Sequence, residues 1–392
     1  MIALSQRHSL YASRKSLVNP SSTEIYVTVV NNGCWKCQYS VSVLIKDTQA
    51  RLMRKPSPVR KATLVDVARA AGVGPMTVSR TINGHPYVSE ATAKRVQAAI
   101  QKLGYRPNQA ARMLTGQLSK SIGLIVPNVA DPFFSVVSRA VQRAASSAGY
   151  TVWLAVSDCD PVTEAAEIEQ MTNHPVDGIV LAPVNSRSKH LKALAEGPTP
   201  VVTIDRSIEI ASTDSVEVEN RTGAHLAIEH LRHHGYKRIY CVATDFHLRS
   251  IRLRVEAYEE YMHRERLTPR KLILSDTGAA LPWLKSLFDS RYPPQALFAT
   301  NNACTIAVIE VLQTLGIQIG KDVALVGFDD VSFYPLIRPA ITAINQPVAE
   351  LGRTATRLLL DRVHHHGPTE KVRVILPVSL ITRESCGCKR RA

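Results

Sequence analysis

The apolar residues of this chain change period partway along. Between Ala62 and Thr115 they recur at helical spacing: Leu64, Val67 and Ala68 mark one face up to Ala71, and Val96, Ile100 and Leu103 mark another. From Ser121 onward they gather into short β-branched runs, namely IGLIV (122–126), TVWLAV (151–156), GIVLA (178–182), VVTI (201–204), RIYCVA (238–243), KLIL (271–274), ALFA (296–299) and VALVGF (323–328). Helical stretches lie between most of these runs, which predicts parallel sheet with crossover helices. About 270 residues exceed one comfortable core, so two lobes are expected, with a ligand cleft at the carboxyl ends of strands.

The helical segment carries its own punctuation. Thr63 caps a first helix, Asp66 favours the same terminus, and Gly72 ends it. Pro75 suits a first helical turn, because its missing N–H would have been unpaired anyway, so the second helix is expected at Pro75–Ile82. The NGHP run from Asn83 to Pro86 reads as a turn, Ser89 as the cap of a third helix, and Gly104 as its end. Pro107 pushes its predecessor out of helix and Asn108 caps the segment after it, so Gln109–Leu114 form a fourth helix too short to stand alone. This is helix-turn-helix spacing, although an ordinary helical corner has it too. Charge separates the two. Residues 53–120 hold twelve Lys or Arg against two acids, whereas 121–392 hold thirty against twenty-nine, so most of the net +15 sits in the first third. A one-sign cluster on a small helical unit neutralises phosphates, which makes nucleic acid the expected partner.

The order TLVDVARAAGV, MTVSRTING, VSEATAKRVQAAIQKLGYRPNQAARML and IGLIVPNVADPFF resembles the lactose-repressor (LacI/GalR-type) family of bacterial transcription regulators, over about Ala62 to Glu384. The resemblance implies an α/β protein: an all-α helix-turn-helix head with a hinge helix, then a two-lobed effector domain similar to periplasmic sugar-binding proteins. Implied boundaries are an extension at 1–52, the head at 53–107, hinge and linker at 108–120, the effector and dimerisation domain at 121–385, and a tail at 386–392. The chain is expected to cross between lobes near Glu219, Asn345 and His365. In the family, positions matching Pro75, Met76 and Arg80 reach base edges, and those matching Thr77 and Ser79 sit beside phosphates and bases. Arg80 is the strongest specificity candidate, since an arginine fork pairs with guanine O6 and N7 while Pro and Met offer only apolar contact. Thr63, Asn83, Tyr105 and Asn108 join the DNA-binding set. Ala111 is small enough for two hinge helices to approach, and Leu114 matches the leucine that wedges into the central base step and kinks the duplex. Gly74 departs from the usual Ser or Thr, which removes a cap from the reading helix.

Effector contacts are expected at strand ends. Asp131 caps a helix after the first strand, and Phe133 and Phe134 either stack on a ligand or pack in the core. Arg254 matches the arginine that grips effector polar groups, with Ser250 on the same loop. Asn302 stands where relatives most often carry Asp, which removes an ionic acceptor for sugar hydroxyls, so the expected ligand is either carboxylated or bound more weakly than in typical sugar regulators. Asp205, Phe328 and Asp329 complete the set, and Trp283 is left outside it. The implied function is a sequence-specific regulator, a repressor in most of the family, whose operator affinity a sugar or sugar acid controls. A homodimer on a pseudo-palindromic operator follows from two-fold symmetry.

No metal or other cofactor is expected. Cys34 and Cys37 could join Cys386 and Cys388 in a four-thiolate site only across nearly the whole chain, and Cys159, Cys241 and Cys304 read as buried core residues. His230, His233, His234 and the tract 364–366 read as solvated faces. The first 52 residues carry β-rich runs (IYVTVV, SVSVLI) without family counterpart, so they are expected to be a start-site artefact, with translation from Met53, or a disordered tail. No apolar run reaches the ~18 residues of a membrane span and no secretory signal order is present, so a cytoplasmic location is expected. A transport protein would need an export signal and no DNA head. An enzyme of sugars or nucleotides would need a nucleophile or phosphate loop, and neither GxSxG nor GxxxxGK[ST] occurs.

Overall fold

A computed structural model describes residues 25–30, 40–45, 62–82, 87–105, 118–174, 176–209, 213–244, 248–274 and 280–388, and the chain divides into two compact units, 1–107 and 108–392. In the first unit the two β-rich runs form β1 (Ile25–Val30) and β2 (Ser40–Ile45), paired antiparallel with Ile25 opposite Ile45. A lone two-stranded ribbon is marginal in water.

The same unit holds α1 (Leu64–Ala71), α2 (Pro75–Ile82) and α3 (Glu90–Leu103). Thr63 and Asp66 exchange bonds in a capping box: the Thr63 N–H donates to the Asp66 carboxylate at 2.9 Å and the Asp66 N–H to Thr63 Oγ1 at 3.3 Å. Ser89 caps α3 by accepting from the Thr92 N–H. Gly72 and Gly104 end their helices at φ 64° and 58°, a left-handed conformation that costs a side chain-bearing residue more. Val67, Ala68, Ala71, Val78, Val96 and Ala99 make a small shared core, which each helix is too short to do without. Leu103, expected on the apolar face of α3, is instead exposed in the last turn.

The second unit is two α/β lobes. In chain order its elements are β3 (Ser121–Val126), α4 (Pro132–Ser147), β4 (Thr151–Val156), α5 (Pro161–Asn173), β5 (Ile179–Leu181), α6 (Lys189–Glu196), β6 (Val201–Ile204) and β7 (Asp214–Val218). Then come α7 (Asn220–His233), β8 (Ile239–Ala243), α8 (Arg249–Arg264), β9 (Arg270–Ile273), α9 (Ala280–Phe288), β10 (Ala296–Ala299), α10 (Asn302–Thr314), β11 (Ala324–Phe328) and β12 (Thr342–Asn345). The last elements are α11 (Val348–Val363), β13 (Arg373–Leu376) and β14 (Ser379–Ile381). The first lobe's sheet runs β13-β7-β6-β5-β3-β4, all parallel. The second runs β14-β12-β11-β10-β8-β9, parallel except for β14 against β12.

All eight apolar runs are strands. The four strands not anticipated are β7, β12, β13 and β14. In β7 the run is broken by Asp214 and Glu217, both buried, because each meets an arginine: Arg362 Nε lies 2.6 Å from Asp214 and Arg373 Nε 2.9 Å from Glu217. The crossings after β7 and β12 fall at Glu219 and Asn345 as expected, but the third lies between β13 and β14, at residues 377–378, not near His365. After α11 the chain first adds β13 to the edge of the first lobe and only then crosses. There α11 packs hard on α4: a Cβ at Gly352 would stand 2.8 Å from the Ala140 Cβ. Among the described residues no helix is long and apolar enough to cross a membrane.

Candidate effector cavity and reading helix

The crossovers leave the carboxyl ends of both sheets facing each other. A cavity of about 310 Å³ opens there, lined from the first lobe by Pro127, Asn128, Asp131, Phe133, Phe134, Cys159, Val184, Asp205 and Arg206. The second lobe contributes Thr244, Leu248, Ser250, Ile251, Arg254, Asn301, Asn302, Ala303 and Asp329, and Gln346 lines it from the crossing. That volume is at the small end for ligand pockets, which suits one small metabolite. Asp205 and Asp329 turn the chain at φ 66° and 73°, a sparsely populated conformation that aspartate tolerates better than most residues and that concentrates at binding sites.

Asn302 ties the lobes together. Its side-chain amide donates to Asp131 Oδ1 at 2.7 Å across the cleft, while its backbone N–H donates to Asp329 Oδ2 at 3.0 Å. Asp131 also accepts from the Phe133 N–H at 2.8 Å as the cap of α4, and Asp329 accepts from the Gln346 amide. Burial nonetheless pushes both carboxyls above the usual range, against the pull of Asn302 at Asp131 and of Arg254 at Asp329.

Arg254 is buried, and burial lowers its pKa against the attraction of Asp329 and Asp205. Its Nε donates to Asn220 Oδ1 at 2.8 Å and Nη1 to the Thr300 carbonyl at 2.7 Å, while its guanidinium lies 3.6 Å from the Phe328 ring centroid. Arg206, also buried, stands 3.0 Å from Asp205, but the angle is wrong for a hydrogen bond. Its Nε and the Gln346 Oε1 are thus a buried donor and a buried acceptor without hydrogen-bond partners among the described residues. Both sit at the cavity, where a polar ligand would satisfy them.

Of the effector residues expected from sequence, Phe133, Phe134, Asp205, Ser250, Arg254, Asn302 and Asp329 line the cavity. Phe328 does not; it is fully buried behind Arg254 as the floor on which the guanidinium rests. Phe133 and Phe134 pack edge-on at 5.0 Å in the first lobe's core and also line the cavity wall. Cys159, expected in the core, is exposed and on the wall. Trp283 is exposed on α9, outside the lining. Sequence reasoning missed Arg206 and Gln346. Arg206 directly follows the strand-end Asp205, and Gln346 follows β12, whose TAIN sequence is too short to announce a strand.

In the head, α2 turns Val78 inward and exposes Pro75, Met76 and Arg80, with Thr77 and Ser79 half-buried between them. Gly74 offers no side-chain cap; its carbonyl accepts from the Thr77 and Val78 N–H groups, and the helix still starts at Pro75. Thr63 is exposed with its hydroxyl in the capping box, and Tyr105 packs against the head's core. Asn83, Asn108, Ala111 and Leu114 lie outside the described residues.

Two family models match: bacterial regulatory proteins of the lacI family over residues 63–108, and the periplasmic binding protein-like domain over 228–386. The chain is 33% identical to the transcriptional regulator PtxS of Pseudomonas plecoglossicida, covering 77% of this chain and 89% of that one. It is 31% identical to the ribose operon repressor of Escherichia coli strain K12, covering 77% and 93%. Among solved structures, the lac repressor dimer bound to operator and an anti-inducer superposes with a TM-score of 0.75 at 25% identity, over 83% of this chain and 99% of that one. The chain belongs to the lacI family of bacterial regulatory proteins, transcription regulators in which a helix-turn-helix head is joined to a two-lobed unit that responds to a small molecule.

Proposed function

We propose that this regulator is a dimeric repressor released from, or fastened to, its operator by a sugar acid held between the lobes. The observation that carries this reading is the pairing of Arg206 and Arg254, both buried at the cavity, with carboxylates that are already engaged. Asp131 accepts from Asn302 and Phe133 through Oδ1, and Asp329 from Asn302 and Gln346 through both oxygens, whereas Arg206 Nε, ion-paired with Asp205, hydrogen-bonds no described residue, and neither does Arg254 Nη2. A ligand carboxylate suits such a guanidinium pair, and its hydroxyls suit Asp205, Ser250 and the Gln346 carbonyl. The protein then distinguishes the ligand's two ends by charge.

On the DNA side, Arg80 reads guanine in the major groove, Met76 and Pro75 offer apolar contact, and Thr77 and Ser79 bind backbone and base edges. Leu114 acts as the minor-groove wedge, with Ala111 at the hinge contact and Thr63, Asn83, Tyr105 and Asn108 placing the head on phosphates. The effector shifts operator affinity by its differential affinity for two lobe arrangements.

Thermal shift of the full chain tests the effector class. At a hundredfold excess over Kd, binding stabilises by about 2.7 kcal/mol, which raises the melting temperature by roughly 5 °C or more. Gluconate and related sugar acids should give that shift and the parent neutral sugars should not. Arg254→Ala should lose it while retaining operator binding. A larger shift from neutral sugars would reject the carboxylate reading.

A further inference from the structure

Away from the cavity, the second lobe gathers four ligating side chains from two distant segments. His230 and His234 lie one turn apart at the end of α7, so both rings leave the same face. Cys386 and Cys388 follow β14. One ligand atom from each of the four lies within 4.8 Å of the others, with Cys388 Sγ 3.0 Å from His234 Nε2 and 3.7 Å from His230 Nε2. His234 is exposed, as expected of a solvated face, and His230 is half-buried, but both rings also face the cysteines.

The two cysteines are aimed by local structure. Gly387 between them has φ 88°, and a Cβ there would stand 2.7 Å from the Tyr236 hydroxyl, so glycine is required for the turn that brings both thiols to one side. Upstream, Ser385 is pinned to the sheet: its hydroxyl donates to the Leu325 carbonyl at 2.6 Å and accepts from the Thr342 N–H at 2.8 Å. Tyr236 donates to the Cys386 carbonyl at 3.3 Å from the other side.

We propose that His230, His234, Cys386 and Cys388 bind a structural zinc ion. Zinc–sulfur bonds of about 2.3 Å and zinc–nitrogen bonds of about 2.0–2.1 Å in a tetrahedron put ligand atoms roughly 3.3–3.8 Å apart. Closing a set already within 4.8 Å needs side-chain adjustments of about an ångström or less. Two thiolates and two neutral imidazoles leave the centre uncharged, which suits a site where Cys386 is buried, and each thiol releases its proton to solvent on binding. The mixed sulfur and nitrogen donor set selects zinc over magnesium or calcium. The ion would clamp the segment after β14 onto α7.

The test measures metal in full-length protein purified without a polyhistidine tag. After zinc addition and desalting, about one zinc per chain is expected. Cobalt substitution should give thiolate charge-transfer absorption and tetrahedral ligand-field bands. His234→Ala and Cys388→Ser, both at positions that are not fully buried, should lose the metal and the cobalt spectrum, while the neighbouring His233→Ala keeps both. Chelation should lower the melting temperature of the unmodified protein by several degrees and leave the His234→Ala melt unchanged. Substoichiometric zinc after reconstitution, equal retention by the two variants, or a Cys386–Cys388 disulfide in anaerobically prepared protein would each overturn the assignment.

Discussion

At the scale of single residues, Asn302 shows how one atom's chemistry sets the cleft. Aspartate at this position would face the Asp131 carboxylate, with two acceptors and no proton between them; the amide supplies the donor. Asn302→Asp should therefore cost about 1.5–3 kcal/mol at neutral pH, the range for a hydrogen bond to a charged group. The new pair would share one proton, so the folded-state pKa of the pair rises and the penalty vanishes below it and grows as pH rises through it. Denaturant melts of variant and parent at acidic and neutral pH check the sign. Much of this site was legible: Asp205 and Asp329 directly follow strands that the apolar runs announce, whereas Arg254, which with Ser250 lies on α8 and not on a loop, was legible only through the family resemblance. What could not be read was partnership. Nothing in the sequence distinguishes Phe328, which supports Arg254 from behind, from a wall residue, or shows that Arg206 is buried beside the ligand.

At the scale of elements, helix ends are legible where the capping chemistry is local, as at Thr63, Ser89, Gly72 and Gly104. Strands escape the sequence where stability comes from afar: β7 tolerates two buried acids because arginines from other elements reach them, Arg362 at Asp214 and both Arg373 and Arg249 at Glu217. The His230–Cys388 cluster escapes it for the same reason, although a histidine pair spaced i, i+4 and a Cys-Gly-Cys triplet are each visible alone. The reading helix offers an elementary check. A Cβ at Gly74 would meet nothing within 4 Å, so Gly74→Ser can add a side-chain cap without displacing a neighbour. It should stabilise the head by a few tenths of a kcal/mol, about 0.3, visible as a small rise in the head's melting transition.

At the scale of the whole molecule, charged pairs span the two lobes. Glu209 of the first lobe takes bonds from Arg187 of its own lobe and Arg252 of α8, and Glu217 of β7 meets Arg249 of α8 at 2.7 Å. Burial alone would raise the Glu209 carboxyl, but the bonds from Arg187 and Arg252 outweigh it and hold it below the usual range. Its contribution to this lobe arrangement is thus complete above the ordinary carboxylate pKa and is lost as pH falls through the depressed value. Glu209→Gln should remove that acid-side dependence and shift the arrangement by about 1 kcal/mol, or roughly fivefold in effector affinity. Effector titrations across the acid range compare the two proteins, and an unchanged profile would rule out Glu209 as a latch.

The late third crossing has a consequence for synthesis. Because β13 is the outermost strand beside β7 and β14 the outermost beside β12, neither sheet is complete until residues 373–381 have been made. A nascent chain still short of that point carries two open sheet borders, the kind of surface that chaperones shield and that aggregates when crowded. Loss of these few residues by a premature stop codon would leave both lobes unfinished at once.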